Sequence, residues 1–252
     1  MEKYYDINKN GYSIRCKIYC NDIHAVSQVV LYGHGFGGHK DTKAAARFAG
    51  QMTSKYKKTA LIVFDWPCHG MDARKKMILD ECDLYLTYLV EDIKERFGTD
   101  EIYAYATSFG AFNYLRYLLT HENPFKKMAL RCPAVDFYSV ITENIIKEEE
   151  WKKLERGKDV LVGFDRKVKI NKEFLDQAKE ADLFHQDFIP FAEDLLILHG
   201  SKDEIVPFEG VRQFAEENII EFIPVENADH RFIDPVKMDY ASNQIMSFFF
   251  EA

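Results

Sequence analysis

The stretch Tyr103-Ala104-Tyr105-Ala106-Thr107-Ser108-Phe109-Gly110-Ala111 constrains the fold more than any other part of the chain. Its first residues suit a buried strand, Ala106-Thr107-Ser108-Phe109-Gly110 is a small-x-Ser-x-Gly turn, and the residues beyond favour a helix. Small residues flanking a serine let the backbone pass sharply from strand to helix and hold the hydroxyl up at the carboxyl edge of a sheet, a nucleophile elbow. The amide end of the following helix faces the same spot, where negative charge is stabilised. A serine near a glycine is by itself only a turn. The rest of the chain gives this one its meaning.

Strand-like and helix-like segments alternate along most of the 252 residues, the pattern of a mostly parallel sheet with helices on its faces, so an α/β fold is expected. Tyr12 to Tyr19 alternates as a strand, and Val29 to Tyr32, Leu61 to Phe64, Ile102 to Tyr105, Met128 to Leu130, Leu195 to Leu198 and Ile219 to Ile223 supply others. Leu84, Tyr88, Leu89, Ile93 and Phe97 fall on one side of a helix that Gly98 closes. The rhythm breaks between Pro133 and Pro190. There a charged helical stretch over 140–158 precedes a hairpin, Val160 to Phe164 and Val168 to Ile170, turning around Asp165-Arg166-Lys167, and a helix from about Lys172 to Leu183. This segment keeps Trp151, Phe164, Phe174 and Phe184 and so reads as folded. It is expected to form a lid, about 134–190, inserted over the carboxyl edge of the sheet of a single domain spanning 1–252, where α/β folds bind ligands.

A net charge of −8, with no basic cluster in the sequence, argues against a nucleic-acid partner, which needs a basic face to neutralise phosphates. No apolar run reaches the roughly 18 residues of a membrane helix, and the first residues lack a signal-like apolar core, so a cytoplasmic protein is expected. Five scattered cysteines, Cys16, Cys20, Cys68, Cys82 and Cys132, suit reduced thiols better than a disulfide framework, and Cys16 and Cys20 lack the second ligand pair that zinc needs. Oligomeric state is not readable.

Three further segments supply what acyl-transfer chemistry requires. Gly33-His34-Gly35-Phe36-Gly37-Gly38 follows a strand directly, and its glycine density lets a backbone N–H face a developing oxyanion; a phosphate loop would need a Lys-Ser/Thr pair that does not follow. The expected donors are the amides of Phe36 and Phe109. Leu195 to Leu198 runs into His199-Gly200-Ser201-Lys202-Asp203, where Asp203 is the candidate acid that orients an imidazole, with Asp194 and Glu204 as lesser alternatives. Ala228-Asp229-His230 precedes the C-terminal helix and makes His230 the candidate base. The order Ser108, Asp203, His230 is the nucleophile, acid, histidine order of a sheet-based hydrolase. Cys68 and Cys132 occupy no elbow and are poorer nucleophile candidates.

These segments, together with Phe64-Asp65-Trp66-Pro67-Cys68-His69-Gly70, resemble the α/β-hydrolases over almost the whole chain. Within that superfamily the chain is similar to the small bacterial feruloyl/cinnamoyl esterases and to monoacylglycerol-lipase-like and serine-aminopeptidase-like hydrolases. The resemblance implies an α/β-hydrolase fold with a short lid, Ser108 as nucleophile, His230 as general base and then acid, Asp203 as its orienter, and the Phe36 and Phe109 amides as oxyanion hole. It implies a serine carboxylesterase acting on a small-molecule ester with a small or aromatic acyl group, with no metal or organic cofactor. Ala106 stands where the elbow usually has its first glycine, and Trp66 stands in a loop where similar proteins carry smaller or polar residues, which reshapes the acyl pocket. Tyr138 and the lid aromatics are candidate contacts for an aromatic acyl group, and Asp136 for a substrate hydroxyl. A thioesterase, acyltransferase or peptidase could use the same triad, and a catalytically silent binding protein could use the same fold.

Overall fold

The structure is a computed structural model and describes residues 1–251 apart from Ala73 and Asp165. The chain opens with two strands that the alternation rule places only in part: β1 (Glu2–Lys9), absent from the sequence reading, pairs antiparallel with β2 (Tyr12–Tyr19). Asn10 and Gly11 join them with φ of 50° and 81°, the paired positive dihedrals of a tight hairpin turn. Then come β3 (Gln28–Gly33), α1 (Lys43–Lys55), β4 (Thr59–Phe64), α2 (Asp80–Phe97), β5 (Ile102–Thr107), α3 (Phe109–Thr120) and β6 (Met128–Arg131).

An insertion separates β6 from the next strand of the main sheet. It holds α4 (Phe137–Ser139) running into a π-helical turn over Val140–Ile145, then α5 (Glu148–Glu155), the hairpin of β7 (Val160–Val162) with β8 (Val168–Ile170), and α6 (Lys172–Glu180) capped by the Asn171 side chain. The hairpin is where the sequence puts it, although Asp165 of its turn lies outside the described residues. The chain finishes with β9 (Leu195–Gly200), α7 (Phe208–Glu217), β10 (Glu221–Val225) and α8 (Pro235–Phe250).

The main sheet has eight strands in the order β1-β2-β4-β3-β5-β6-β9-β10, parallel from β4 onward. Alternation along the central strands fills both faces. Val29, Leu31, Ile62, Phe64, Ile102 and Ala104 join the layer formed with α2, α3 and α7, while Val30, Tyr32, Leu61, Val63, Tyr103 and Tyr105 join the layer formed with α1 and α8. On α2 the buried side is set by Cys82, Tyr85, Leu86, Leu89 and Ile93, and Leu84, expected on that side, is exposed. Gly98 adopts φ 61° and closes the helix as its spacing implies.

The topology fixes where a ligand can sit. After β3 the chain first adds β4 on one side and then returns to place β5 on the other, so the loops leaving β3 and β5 diverge and open a crevice at the carboxyl ends. The loop after β3 begins with His34, and the turn after β5 is Ser108.

Candidate active site

Ser108 sits between β5 and α3 with φ 52° and ψ −117°, a conformation that an L-residue holds only under strain of about 1–3 kcal/mol. Hydrogen bonds enforce it: the Ser108 N–H donates to the Arg131 carbonyl at 3.0 Å, and the Ser108 carbonyl accepts from the Phe112 N–H at 3.0 Å. Gly110 is required for packing, since a Cβ there would lie 2.5 Å from the Gly33 carbonyl oxygen and 2.7 Å from that of His34. The methyl of Ala106 is accommodated because its register neighbour on β3 is Gly33, which has no side chain.

The glycine-rich loop is braced against this turn. A Cβ on Gly35 would come within 3.3 Å of the Ser108 Cβ, so the loop backbone lies against the serine. His34 is buried and neutral, because burial pushes its pKa well below the usual histidine value. Its Nδ1–H donates to the Gly35 carbonyl (2.8 Å) and its Nε2 accepts from the Trp66 N–H (3.4 Å), while the Trp66 indole donates to the His34 carbonyl at 2.9 Å. A second brace is Asp65, fully buried, which accepts from the Lys40 main chain (2.7 Å), the Lys40 ammonium (3.1 Å) and the Met71 N–H (2.9 Å). Gly70, at φ 55°, has no room for a side chain because its Cβ would fall 2.3 Å from the Asp65 carboxyl. His69, held by burial at a pKa of about 4, stacks on Phe109 with ring centres 5.8 Å apart.

Two loops bring together residues 27 positions apart. His230, between β10 and α8, approaches Asp203, after β9, with 2.7 Å between Nδ1 and Oδ2. The other carboxylate oxygen accepts from the main-chain N–H groups of Ile205 (2.9 Å) and Val206 (2.8 Å), so the carboxylate plane is fixed by its own loop. The sequence reading did not single out His199, which is wholly buried at the end of β9 and places Nε2 3.2 Å from Asp203 Oδ2. Burial opposes ionisation of Asp203, but the hydrogen bonds from His199 and His230 outweigh it and hold the carboxyl well below the usual carboxylate range. The i, i+4 spacing of His199 and Asp203 was visible in the sequence, but that the loop folds back to join them was not.

Cys132, Asp203 and His230 are a group of three potential metal ligands, their ligating atoms within 4.8 Å of one another. The donor set fits a hydrogen-bonded cluster better than a metal: the Asp203 carboxylate already meets four N–H groups, and burial pushes the Cys132 thiol well above the usual cysteine range.

Ser108, His230, Phe36 and Thr107 line one cleft of about 340 Å³ at the carboxyl edge of the sheet, a volume suited to a small ligand. The insertion contributes Phe137, Val140, Ile145, Phe164 and Arg166 to its walls. Phe109, first residue of α3, buries its ring against Phe36 (5.6 Å) and Phe137 (4.8 Å); its amide belongs to the helical turn that lacks intrahelical acceptors. The remaining expected contacts fall elsewhere. Trp66 is fully buried behind the glycine-rich loop, and Asp136 and Tyr138 line a separate groove, where Asp136 is exposed and caps α4 through the Ser139 N–H. Among the residues not foreseen, Arg131 from the end of β6 lines the cleft and Lys40 supports it through Asp65.

The family model for the alpha/beta hydrolase fold matches residues 28–163, more than half of the chain. The protein therefore belongs to the alpha/beta hydrolase family. Among solved structures it is similar to Est1E from Butyrivibrio proteoclasticus with ferulic acid bound, at a TM-score of 0.79 and 17% identity over 98% of each chain. It is similar also to mouse alpha/beta hydrolase domain-containing protein 10 (TM-score 0.75, 14% identity, 99% of each chain). A soluble variant of monoglyceride lipase from Saccharomyces cerevisiae matches at TM-score 0.75 and 13% identity, over 100% of this chain and 95% of that one. No curated protein matches by sequence. Among the described residues no helix is long and apolar enough to cross a membrane.

Proposed function

We propose that the protein is a serine carboxylesterase acting on small or aromatic acyl esters through Ser108, His230 and Asp203. The observation that carries this reading is the single cleft shared by a serine on a strained strand-to-helix turn and a histidine whose Nδ1 is fixed 2.7 Å from a buried carboxylate. Asp203 keeps the Nδ1–H tautomer, so Nε2 is free to take the serine proton. The Ser108 Oγ then bonds to the ester carbonyl carbon, and the oxyanion accepts from the Phe36 and Phe109 amides. His230 returns the proton to the alkoxide as the carbon–oxygen bond breaks, and the alcohol leaves. Water adds to the acyl-enzyme with His230 as base, releasing the acid and restoring the serine.

The walls formed by Phe36, Phe137, Val140 and Ile145 support a compact apolar or aromatic acyl group. The contribution of the insertion to those walls supports its role as a lid on a single domain. Five unpaired cysteines support a reducing, cytoplasmic setting. The test is hydrolysis of p-nitrophenyl esters of rising acyl length, methyl ferulate, and a matched thioester and anilide, by the wild type and Ser108→Ala. The expected result is ester turnover that vanishes in the variant and exceeds thioester and amide turnover. Turnover that survives in Ser108→Ala, or a preference for the thioester or anilide, would overturn the assignment.

A further inference from the structure

The charge of the cleft is opposite to that of the chain. With 33 basic against 41 acidic residues the protein is net negative, yet its Ser108 cleft is lined by Arg131 and Arg166 and, among the described residues, by no Asp or Glu. Chance placement on an acidic chain would favour carboxylates.

Arg131 is the more informative of the two. It ends β6 with 6% of its surface exposed, and a buried guanidinium ordinarily has a carboxylate partner. Its Nη1 donates to the Arg231 carbonyl at 3.1 Å, its plane lies 4.9 Å from the Phe232 ring, and its buried Nε has no hydrogen-bond partner. The groups nearest its charge are the Tyr105 and Tyr32 hydroxyls; Asp203, the carboxylate that also reaches it, is already shared between two histidines and two main-chain amides. The cleft is therefore furnished with a desolvated cation; with Nη1 on the Arg231 carbonyl and Nε enclosed, Nη2 is left as the donor for a ligand oxyanion, one charge-assisted hydrogen bond. Thr42 and Ala44, at the amino end of the thirteen-residue helix α1, line the same cleft and add the positive end of a helix dipole. Arg166 is exposed at the mouth, where its main chain packs on Gly37, and there it can attract an anion from solvent.

We propose that the substrate is an ester bearing a carboxylate or phosphate group, which Arg131 receives inside the cleft while Arg166 steers it in. This rests on the esterase reading and adds the charge class of the substrate.

The test compares kcat/KM within matched pairs. Mono-p-nitrophenyl succinate against p-nitrophenyl butyrate places the carboxylate on the acyl side. The leaving-group side is probed by 4-acetoxybenzoate against phenyl acetate, and 4-acetoxyphenyl phosphate extends it to phosphate. At least one anionic member is expected to be preferred by about tenfold or more, the advantage of one charge-assisted hydrogen bond. The preference should collapse towards unity in Arg131→Met and survive in part in Arg131→Lys. In Arg166→Gln it should weaken mainly through KM. If Arg131 only braces the His230 loop through the Arg231 carbonyl, both members of a pair slow together and the ratio stays put, which overturns the proposal. So does equal or better turnover of every neutral ester, and in that case labelling of Ser108 by a fluorophosphonate shows that the esterase reading stands alone. Absence of both labelling and turnover removes the two readings together.

Discussion

Asp203→Asn isolates what the buried carboxylate does, because it removes a charge with almost no change of shape. The amide oxygen can keep the Ile205 and Val206 N–H groups, now 2.9 and 2.8 Å from Oδ1. That turns the NH2 towards His230 Nδ1, which in the native protein sits 2.7 Å from Oδ2. Two donors cannot share that contact, so the ring flips tautomer and protonates Nε2, the nitrogen that receives the serine proton in the proposed mechanism. In the Ser-His-Asp template this loss is worth about 10⁴-fold in turnover, or about 5 kcal/mol of barrier. Stability falls too, by about 1.5–3 kcal/mol for each charged hydrogen bond lost. The pH dependence carries a sign. Because the native carboxyl is held below its unfolded value near 3.9, its stabilising contribution is complete above that value and is lost as pH falls through the native pKa. The urea midpoints of wild type and variant should thus differ most at neutral pH and converge in strong acid. Steady-state ester turnover and urea unfolding measure both effects. A variant that keeps turnover within about tenfold of wild type would refute the reasoning and direct attention to Glu204, whose carboxylate lies 3.4 Å from the His230 main-chain nitrogen.

Three further outcomes follow from the braces around the cleft. Gly110→Ala would ordinarily favour a helix, but a Cβ 2.5 Å from the Gly33 carbonyl should reverse the sign, destabilising by about 1–3 kcal/mol in urea and slowing turnover about a hundredfold through displacement of Ser108. Asp65→Ala removes one of the two carboxylates on the buried Lys40 ammonium and leaves Asp41 at 3.1 Å, so it should lower stability by about 3 kcal/mol, the low end for a broken buried pair; adding Lys40→Met should recover much of that loss, and failure to recover would show that the ion pair is not the cause. His69, neutral in the folded protein with a pKa of about 4, makes the unfolded chain the better proton acceptor between about pH 4 and 6.5, so stability should fall by about 3 kcal/mol as pH drops through that window, and His69→Asn should flatten the slope.

The sheet was legible because β3, β4 and β5 are short buried runs bounded by glycine or polar loops, and the Ser108 turn announces itself by small residues at fixed offsets. β1 was not legible: its exposed edge carries Lys3, Tyr4 and Asn8 with Ile7 its one buried residue, so it has little hydrophobic pattern to read. Leu84 misled because a helix of spacing 3.6 allows neighbouring faces, and tertiary packing chose the one carrying Tyr85. Asp203 and His230 could be picked by order along the chain, since each follows a strand of the main sheet. His199 and Lys40 could not, because their roles arise only when a loop folds back on a strand end. Arg131 lies one residue past the strand read as Met128 to Leu130 and carries no signal of its own; its place in the cleft depends on β5, β6 and α1 converging. Trp66 is the opposite case: a large aromatic in a loop beside the site suggests a pocket wall from sequence alone, whereas its ring is fully buried behind the glycine-rich loop and donates to the His34 carbonyl.

The central claim is that Ser108 is the activated nucleophile, and the direct measurement is intact-mass and peptide-mapping analysis after reaction with a fluorophosphonate. The account predicts one adduct per chain, on Ser108, absent in Ser108→Ala and slowed by orders of magnitude in His230→Ala. An unmodified Ser108, or an adduct on another residue such as Cys68 that persists in Ser108→Ala, would contradict it.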